Sequence, residues 1–459
     1  MIHRYQKKGL NFVLDVNSGA VHLLDDISYA VSGLIDENMT EACPESVVEA
    51  LPQYSADDVR EAYGELYELK KAGQLFAEDD YIDVSRYIPV GAPVKALCLH
   101  VAHDCNLRCK YCFASTGDFG QGRKIMPPEV AKKAIDFVIA RSGKRRNIEV
   151  DFFGGEPLMA WDTVTQTVDY ARSIEEQHGK KFRFTITTNG LLLDEDKRKY
   201  INENMDNCVL SLDGRREVND EFRKTVAGTG SYDTIVPKFK ALVDERDPNL
   251  DYYARGTFTS HNLDFAEDVL SIADAGFDRL SVEPVTADPG CGYDLTEDDL
   301  PKIEAEYDRL TDIMLERKKE GKPFTFFHFM VDLDQGPCVV KRLRGCGAGY
   351  EYVAVTPDGD IYPCHQFVGK EEFKQGSVLD QSFNMDIAQK FAGMNIYSRP
   401  KCQKCWAKFY CSGGCSAANY NMNHDMNDSY DLGCEMERKR LECAIYLKAM
   451  DKICANQSK

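Results

Sequence analysis

The sequence contains no apolar run of the ~18 residues that a membrane-spanning helix needs. Its first residues, MIHRYQKKGLNFVLDV, have no apolar segment after the basic residues, so no signal peptide is expected. Internal repeats and low-complexity segments are absent as well. These absences favour a globular cytoplasmic protein, and a length of 459 residues suggests about three domains.

Positive charge is also scarce. The chain has 56 Lys and Arg residues against 75 Asp and Glu residues, which gives a net charge of −19. An acidic protein repels a phosphate backbone, so nucleic acid is a poor candidate partner. A hydrophobic content of 43% with 29% charged residues is typical of a chain that folds around a large core.

Cysteine, in contrast, is present in excess. Seventeen cysteines are too many for a cytoplasmic chain unless they bind metal, because disulfides are rare in that compartment. Three of them, Cys105, Cys109 and Cys112, lie in the run CNLRCKYC, and nine lie between Cys338 and Cys443. This clustering indicates metal sites in two regions of the chain.

The run CNLRCKYC predicts an iron–sulfur cluster with one open iron. Thiolates at i, i+4 and i+7 can bind three irons of a four-iron cube, which leaves the fourth iron free for a small molecule. Structural zinc sites usually close all four positions, with cysteines in separated C-x2-C pairs. The alternative is three unrelated thiols on a buried loop.

Residues 1–80 indicate a small separate unit. Two β-rich runs surround Asn17-Ser18-Gly19, and helical patterns follow at about 27–36, 44–51 and 56–73. This order resembles a winged helix-turn-helix, but six basic residues against sixteen acidic ones argue against DNA binding. An exposed edge strand could instead accept a peptide by strand addition. A packing module without a ligand is the remaining alternative.

A linker with two prolines and a glycine is expected at 81–95, and strand-like and helical segments alternate over 96–320. Six β-rich runs separated by helices predict an α/β fold with a parallel sheet, open or curved into a partial barrel. In such folds the chemistry gathers at the carboxyl ends of the strands. The predicted strands are Ala96–Ala102, Ile148–Phe153, Phe182–Thr188, Cys208–Leu212, Tyr252–Thr259 and Arg279–Val285.

The motif GGEP, with Gly154, Gly155 and Glu156, follows the second of these strands. Its glycines let the backbone approach a ligand, and the carbonyls and the carboxylate there can accept hydrogen bonds from an ammonium group. CNLRCKYC and GGEP together resemble the radical S-adenosylmethionine (SAM) superfamily, whose domain is a partial (β/α)6 barrel. The resemblance implies that the three-cysteine run holds a [4Fe–4S] cluster whose open iron binds the amine and carboxylate of SAM. Reductive cleavage would then give a 5′-deoxyadenosyl radical that abstracts a substrate hydrogen.

Polar residues at later strand ends are further candidates for contact with SAM. Thr188 ends the third strand, while Ser211 and Asp213 end the fourth and are expected to alternate onto one side. In the radical SAM family, polar residues at these ends bind the ribose hydroxyls or approach the substrate.

Three more residues complete the predicted SAM site. Arg223, in Asn219-Asp220-x-x-Arg223, resembles a family arginine that pairs with the methionyl carboxylate, although a surface salt bridge is the alternative. Tyr111 and Phe113 flank Cys112, where the family places an aromatic ring beside the adenine. Both rings could instead pack the loop.

Residues 321–459 are rich in cysteine and glycine, with a hairpin expected around Pro357-Asp358-Gly359 and a last helix from about Gly433 to Cys454. The segment C-x2-C-x5-C-x3-C alone would suit zinc. The whole pattern resembles the SPASM domain, which carries two auxiliary [4Fe–4S] clusters. The ligands implied by this resemblance are Cys346, Cys364 and Cys415 for the first auxiliary cluster, and Cys402, Cys405, Cys411 and Cys434 for the second.

The fourth ligand of the first auxiliary cluster is left open by the sequence. Cys338 could complete that cluster, or a substrate thiolate could bind its open iron. The sequence favours neither alternative over the other.

An N-terminal winged-helix-like peptide-recognition unit, a radical SAM barrel and a SPASM domain together resemble maturases of ribosomally made peptides. The runs LDVNSGAVHLLDD, QGPC and CSGGCSAANY most resemble those of the ranthipeptide maturases, which act on six-cysteines-in-forty-five-residues (SCIFF) peptides. That resemblance implies thioether bonds between a peptide cysteine sulfur and a carbon of an acceptor residue, often threonine. It also implies three [4Fe–4S] clusters, a cysteine-rich precursor peptide bound through its leader, and a low-potential electron donor such as flavodoxin or ferredoxin.

Three other functions fit the same residues. An anaerobic sulfatase maturase would oxidise a cysteine or serine to formylglycine. An iron–sulfur electron carrier would lack SAM chemistry, and a winged-helix regulator would sense redox state. The acidic N-terminal unit favours the thioether maturase over the sulfatase maturase.

Overall fold

The computed structural model describes residues 1–83, 93–333 and 339–457. The N-terminal unit is an antiparallel sheet in the order β1–β2–β3, with three helices whose apolar faces pack into one small core. Ser55 caps the longest of these helices by accepting a hydrogen bond from the Asp58 amide. The elements are β1 (Ile2–Lys7), β2 (Leu10–Asp15), β3 (Val21–Leu24), α1 (Asp26–Ser32), α2 (Glu45–Glu49) and α3 (Ala56–Lys71).

The middle region confirms the predicted α/β fold with parallel strands. Strands β4 and β6 to β10 run parallel in the order β4–β6–β7–β8–β9–β10, and the short β11 follows at the edge. Burial alternates along strands such as β7, while all residues of the central β4 are buried. The strands are β4 (Ala96–His103), β5 (Lys124–Ile125), β6 (Asn147–Gly154), β7 (Lys181–Thr188), β8 (Asn207–Ser211), β9 (Asp251–Phe258), β10 (Arg279–Pro284) and β11 (Thr325–Phe326).

Helices cover the outer face of this sheet and bury a continuous apolar core against it. No helix in the described ranges is long and apolar enough to cross a bilayer. The helices of this region are α4 (Pro128–Arg141), α5 (Trp161–His178), α6 (Glu195–Asn204), α7 (Arg216–Phe222), α8 (Tyr232–Asp244), α9 (Phe265–Asp274) and α10 (Leu300–Lys319).

The cysteine-rich C-terminal region continues the same sheet. Its first strand pairs in parallel with β4, with Tyr352 opposite Ala96, and the predicted hairpin adds the next strand. The barrel and the C-terminal region therefore share one sheet. The elements are α11 (Val339–Arg344), β12 (Tyr352–Val355), β13 (Asp360–Tyr362), β14 (Gly376–Ser377), α12 (Met385–Gly393), α13 (Pro400–Gln403), α14 (Lys408–Cys411), α15 (Ser416–Asn423) and α16 (Asp431–Gln457).

The N-terminal sheet packs on the last helix, α16. Phe12 is fully buried in a cluster with Ile445 and Tyr446 of that helix. Lys7, only 8% exposed, forms an ion pair with Asp308 of α10. The sheet is thus fixed to the rest of the molecule, while no further strand of the described ranges pairs with the outer edge of β3.

Candidate active site

A cavity of about 230 Å³ lies at the carboxyl ends of the barrel strands, beside the start of the C-terminal region. Parallel strands end at one edge of the sheet, so motifs far apart in the chain meet there. Of the residues predicted to bind the first cluster or SAM, all except Asp213 line this cavity. The predicted residues that line it are Cys105, Cys109, Tyr111, Cys112, Phe113, Gly154, Gly155, Glu156, Thr188, Ser211 and Arg223.

The cysteine loop after β4 is held by the segment that follows α7. The Arg108 amide donates to the Lys224 carbonyl at 2.7 Å, and the Lys110 amide donates to the Phe222 carbonyl at 3.1 Å. These bonds satisfy two backbone N–H groups of the loop. The conformation of the loop is therefore set by the chain itself.

The cysteines on this loop are partly buried, and the sulfur of Cys105 accepts hydrogen bonds. Burial raises the pKa of both Cys105 and Cys109 to about 12. The Leu107 amide and the Asn189 side-chain amide lie 3.4 and 3.5 Å from Cys105 Sγ. A metal replaces the proton of a buried thiol, and N–H donors stabilise the resulting thiolate. The donor set therefore fits a three-thiolate iron–sulfur site.

Gly154 and Gly155 are required by a close approach of two strands. A Cβ on Gly154 would lie 2.2 Å from the Ala102 carbonyl oxygen, and one on Gly155 would lie 2.2 Å from that of Asp104. The amides of Gly155 and Glu156 donate to these two carbonyls at 2.8 and 2.9 Å. GGEP thus supports the end of β4 that carries the cysteine loop, besides lining the cavity.

The Glu156 carboxylate is committed to protein hydrogen bonds. It is 1% exposed and accepts from the Leu158 amide at 3.0 Å, the Thr188 hydroxyl at 2.8 Å and the Asn189 amide at 2.8 Å. Burial raises the pKa of Glu156 to about 7, although these hydrogen bonds oppose the rise. Glu156 therefore joins the ends of β6 and β7 at the cavity.

Asp213 lies behind the cavity wall, in contrast to the sequence-based expectation. β8 ends at Ser211, so the alternation that would place both side chains on one face does not continue. The fully buried Asp213 carboxylate accepts hydrogen bonds from the Tyr111 hydroxyl at 2.5 Å and the Thr257 amide at 3.0 Å. Arg223 Nε lies 3.0 Å from it, in an ion pair without hydrogen-bond geometry. Asp213 therefore positions Tyr111 and Arg223, which do line the cavity.

Arg223 does not form a surface salt bridge, which was the alternative to a role in binding SAM. Its side chain is 11% exposed, and although burial lowers the pKa of Arg223, Asp213 raises it above the usual value. The guanidinium also lies 5.6 Å from the Tyr111 ring. Phe113 is half exposed at the cavity, with its ring 5.4 Å from that of His365.

A charged pair on the far wall of the cavity was not predicted from the sequence. Arg255 Nη2 donates to Glu283 Oε2 at 2.5 Å, and both residues line the cavity. His328 Nε2 lies 4.0 Å from Glu283, and Arg440 of α16 lies behind it, 3.3 Å from His328 Nδ1. A charged residue in the interior of each of the strands β9 and β10 was the available signal. His365, next to Cys364, also lines the cavity.

The C-terminal cysteines form two neighbouring groups. Burial raises the pKa of Cys364 to about 12, and the charges of Cys415 and Cys346 add to that rise. Burial likewise raises the pKa of Cys434 to about 11, with Cys402 and Cys405 adding to it. Cys411 is close enough to Cys434 and Cys402 for their charges to raise its pKa. Each group has the membership predicted for one auxiliary cluster.

Cys338 lies outside the described residues. Within residues 1–83, 93–333 and 339–457, no three His, Cys, Asp or Glu side chains lie close enough to share a single metal ion. A four-iron cube needs its thiolates further apart, because each one binds a different iron.

The fold and this cavity define an α/β barrel protein with a three-thiolate site at its strand ends. Residues 99–251 match the model of the radical SAM superfamily, and residues 346–406 match SPASM, an iron–sulfur cluster-binding domain. The chain therefore contains a radical SAM domain and a SPASM domain. Together these domains imply SAM and [4Fe–4S] clusters as cofactors.

Similar proteins include a sulfatase-maturating enzyme and two proteins of known structure. A cysteine-type anaerobic sulfatase-maturating enzyme of Clostridium novyi is 25% identical over 72% of this chain and 90% of its own length. The structure of native anSMEcpe with bound AdoMet has a TM-score of 0.66 at 21% identity, over 80% of this chain and 100% of its own. Streptococcus suis SuiB bound to precursor peptide SuiA has a TM-score of 0.53 at 17% identity, over 93% of this chain and 97% of its own.

Proposed function

We propose that this protein is a radical SAM maturase that forms thioether bonds in a ribosomally made, cysteine-rich precursor peptide of the SCIFF (ranthipeptide) type. Each bond would join a cysteine sulfur to a carbon of an acceptor residue, often threonine. The observation that carries the proposal is that one chain combines a cavity lined by the cysteine loop with an acidic N-terminal unit. The β3 edge of that unit's sheet pairs with no other described strand. The first feature suits radical chemistry and the second suits a peptide substrate.

The cysteine loop would hold the first cluster through Cys105, Cys109 and Cys112. When bound, this cluster and SAM supply a 5′-deoxyadenosyl radical that removes a hydrogen atom from the substrate. Arg223 would bind the SAM carboxylate, because its guanidinium lines the cavity and Asp213 fixes its position.

The remaining cavity residues would orient SAM. Tyr111 and Phe113 offer ring faces for the adenine, and the Ser211 hydroxyl is available for a ribose hydroxyl. The Thr188 hydroxyl already donates to Glu156, so it can only accept a hydrogen bond from a ligand. The backbone at Gly154 and Gly155 would pass close to the amine of SAM.

The two C-terminal groups would bind auxiliary clusters, which makes three [4Fe–4S] clusters in all. Cys402, Cys405, Cys411 and Cys434 can close the second cluster. The first group offers Cys346, Cys364 and Cys415, and either Cys338 or a substrate thiolate would be its fourth ligand. A metal-bound thiolate is the nucleophilic form of cysteine, so an open iron there would suit thioether formation.

The N-terminal unit would bind the leader of the precursor peptide as a strand added to β3. An exposed strand edge presents unpaired N–H and C=O groups, which an extended peptide can satisfy. The acidic balance of residues 1–80, six basic against sixteen acidic, opposes the DNA-binding alternative for this unit. A low-potential donor such as flavodoxin or ferredoxin would be the second partner.

Formylglycine formation is the second candidate, and the similarity to sulfatase-maturating enzymes favours it. The match to SuiB covers 93% of this chain, so it must include part of the N-terminal unit, whereas the match to anSMEcpe covers 80%. Both SuiB and anSMEcpe have been solved with a peptide bound, so a bound peptide does not separate the two candidates. The longer match to SuiB, which reaches the N-terminal unit, is what supports the thioether proposal over the second candidate.

Mass spectrometry of a co-expressed, neighbouring cysteine-rich peptide tests the proposal. Each thioether should remove two hydrogens and protect one cysteine from alkylation. Loss of sulfur would instead indicate formylglycine made from cysteine. A peptide that stays unmodified beside an enzyme with full iron content would contradict both readings, and a Cys105→Ala enzyme provides the control.

A further inference from the structure

Arg399 is a deeply buried cation between the two C-terminal cysteine groups. The residue is 3% exposed, and its Nε has no hydrogen-bond acceptor. In the part of the chain that the structure describes, no carboxylate forms an ion pair with it. A buried charge without a counter-ion is costly. The guanidinium therefore needs an anion nearby, and no carboxylate side chain among the described residues supplies it.

The guanidinium holds the turn that joins the two cysteine groups. Its Nη1 donates to the Gly413 carbonyl at 2.5 Å, and its Nη2 donates to Ser416 Oγ at 2.9 Å. Gly413 lies between Cys411 of the second group and Cys415 of the first. A Cβ on Gly413 would lie 2.1 Å from Nη1, so the approach of the arginine requires glycine there.

The backbone of Arg399 contacts the second group directly. Its carbonyl accepts a hydrogen bond from the Cys402 amide at 3.0 Å, at the start of α13. Burial lowers the pKa of Arg399, and cysteines of both groups oppose that change: Cys402 and Cys411 of the second, Cys415 and Cys346 of the first. Cysteines of both groups are therefore near this guanidinium, and their sulfurs carry negative charge when they bind a cluster.

We propose that Arg399 is the shared counter-ion of both auxiliary clusters and raises the reduction potential of each. Reduction adds an electron to an already anionic cluster, so a fixed buried cation nearby favours the reduced form. Arginine suits the position because its planar fork binds the turn with two donors while it carries the charge. The inference rests on the proposed assignment of these cysteines to clusters.

The test is a redox titration, followed by electron paramagnetic resonance, of the full chain carrying Cys105→Ala, Cys109→Ala and Cys112→Ala. Only the auxiliary clusters remain in this background. Arg399→Gln should lower both midpoint potentials, and a tenfold fall in the ratio of reduced to oxidised cluster at fixed potential corresponds to about 59 mV for one electron. Arg399→Lys keeps the charge and should restore both potentials toward the parent values.

Arg438→Gln is the matched control for a cation beside one cluster only. Arg438 Nη1 lies 3.9 Å from Cys405 Sγ of the second group, and its charge is already paired with Glu435. Any shift in this variant should be confined to one titration. A parent protein without auxiliary iron would contradict the cluster assignment rather than the role of Arg399.

With iron retained, unchanged potentials in Arg399→Gln, or a shift of one cluster alone, would overturn the inference. If the Arg399→Gln protein does not retain the clusters, the Arg399→Lys protein tests the counter-ion role instead. Retained iron with parent-like potentials in the lysine variant supports the counter-ion role. Loss of iron there, or potentials well below those of the parent, overturns it, since lysine keeps the charge.

Discussion

Gly155→Ala should disable the first cluster site although it replaces none of the three predicted cluster cysteines. The added Cβ would lie 2.2 Å from the Asp104 carbonyl oxygen, 2.6 Å from the Asp104 carbonyl carbon and 3.0 Å from the Gly117 carbonyl oxygen. All three atoms belong to the backbone, so no side chain can rotate away. Asp104 directly precedes Cys105, and the clash must therefore push the cysteine loop away from β6.

The size of the effect follows from these contacts. Overpacking of this kind costs about 1–3 kcal/mol of stability. The movement also strains the hydrogen bond from the Glu156 amide to the Asp104 carbonyl, which measures 2.9 Å. Displacement of a reacting group by about 1 Å can cost roughly a hundredfold in rate, so we expect formation of 5′-deoxyadenosine to fall at least tenfold.

Three measurements on one preparation check this prediction: 5′-deoxyadenosine by chromatography, iron per chain, and stability by urea titration. Gly64→Ala is the matched control, because Gly64 lies inside α3 with nothing near the position of its Cβ. That control should gain up to about 1 kcal/mol and keep full cleavage activity. Parent-like activity and iron in Gly155→Ala would refute the view that the GGEP backbone positions the cysteine loop.

Three further predictions concern the first cluster, the leader and pH. Replacing Cys105, Cys109 and Cys112 by Ala should abolish SAM cleavage and leave roughly eight irons, four per auxiliary cluster; undiminished iron would contradict the assignment. A precursor peptide without its leader should escape modification while uncoupled SAM cleavage continues, and equal turnover of both peptides would refute leader binding by residues 1–80. Burial raises the pKa of Asp151 to about 7. The pKa of this carboxyl is about 4 in the unfolded chain, so between pH 4 and 7 the folded state holds the proton more tightly. The free energy of unfolding should therefore fall as the pH rises from 4 to 7, by up to about 1.4 kcal/mol per pH unit relative to Asp151→Asn. If urea titrations give the same pH dependence of unfolding free energy for both proteins over this range, the raised pKa of Asp151 is contradicted.

The strands of the barrel were predictable because most alternate buried and exposed residues over a short run between helices, while β4 is a short, fully buried run. The signal is local, and the structure places these strands within one or two residues of the predicted bounds. The first strand, Ile2–Lys7, was not predicted. Its Lys7 looks like a surface charge in the sequence, whereas the structure buries it beside Asp308.

Contacts between distant segments account for what the sequence did not reveal. The pairing of β12 with β4 joins Tyr352 to Ala96, and nothing in either run specifies the other as its neighbour. Asp213 was assigned to the cavity because strand alternation was extended past the end of β8. Arg255 and Glu283 were overlooked since they lie on different strands, and they form a pair only because β9 and β10 are neighbours in the sheet.

Transfer of deuterium from the peptide tests the central claim most directly. The purified enzyme, held under anaerobic reducing conditions, would receive SAM and a precursor peptide whose threonines are deuterated on carbon. We expect 5′-deoxyadenosine carrying one deuterium, in amounts that match the thioethers formed. Thioethers accompanied only by undeuterated 5′-deoxyadenosine would contradict hydrogen abstraction from a threonine acceptor, and a peptide left without crosslinks would contradict the proposed function.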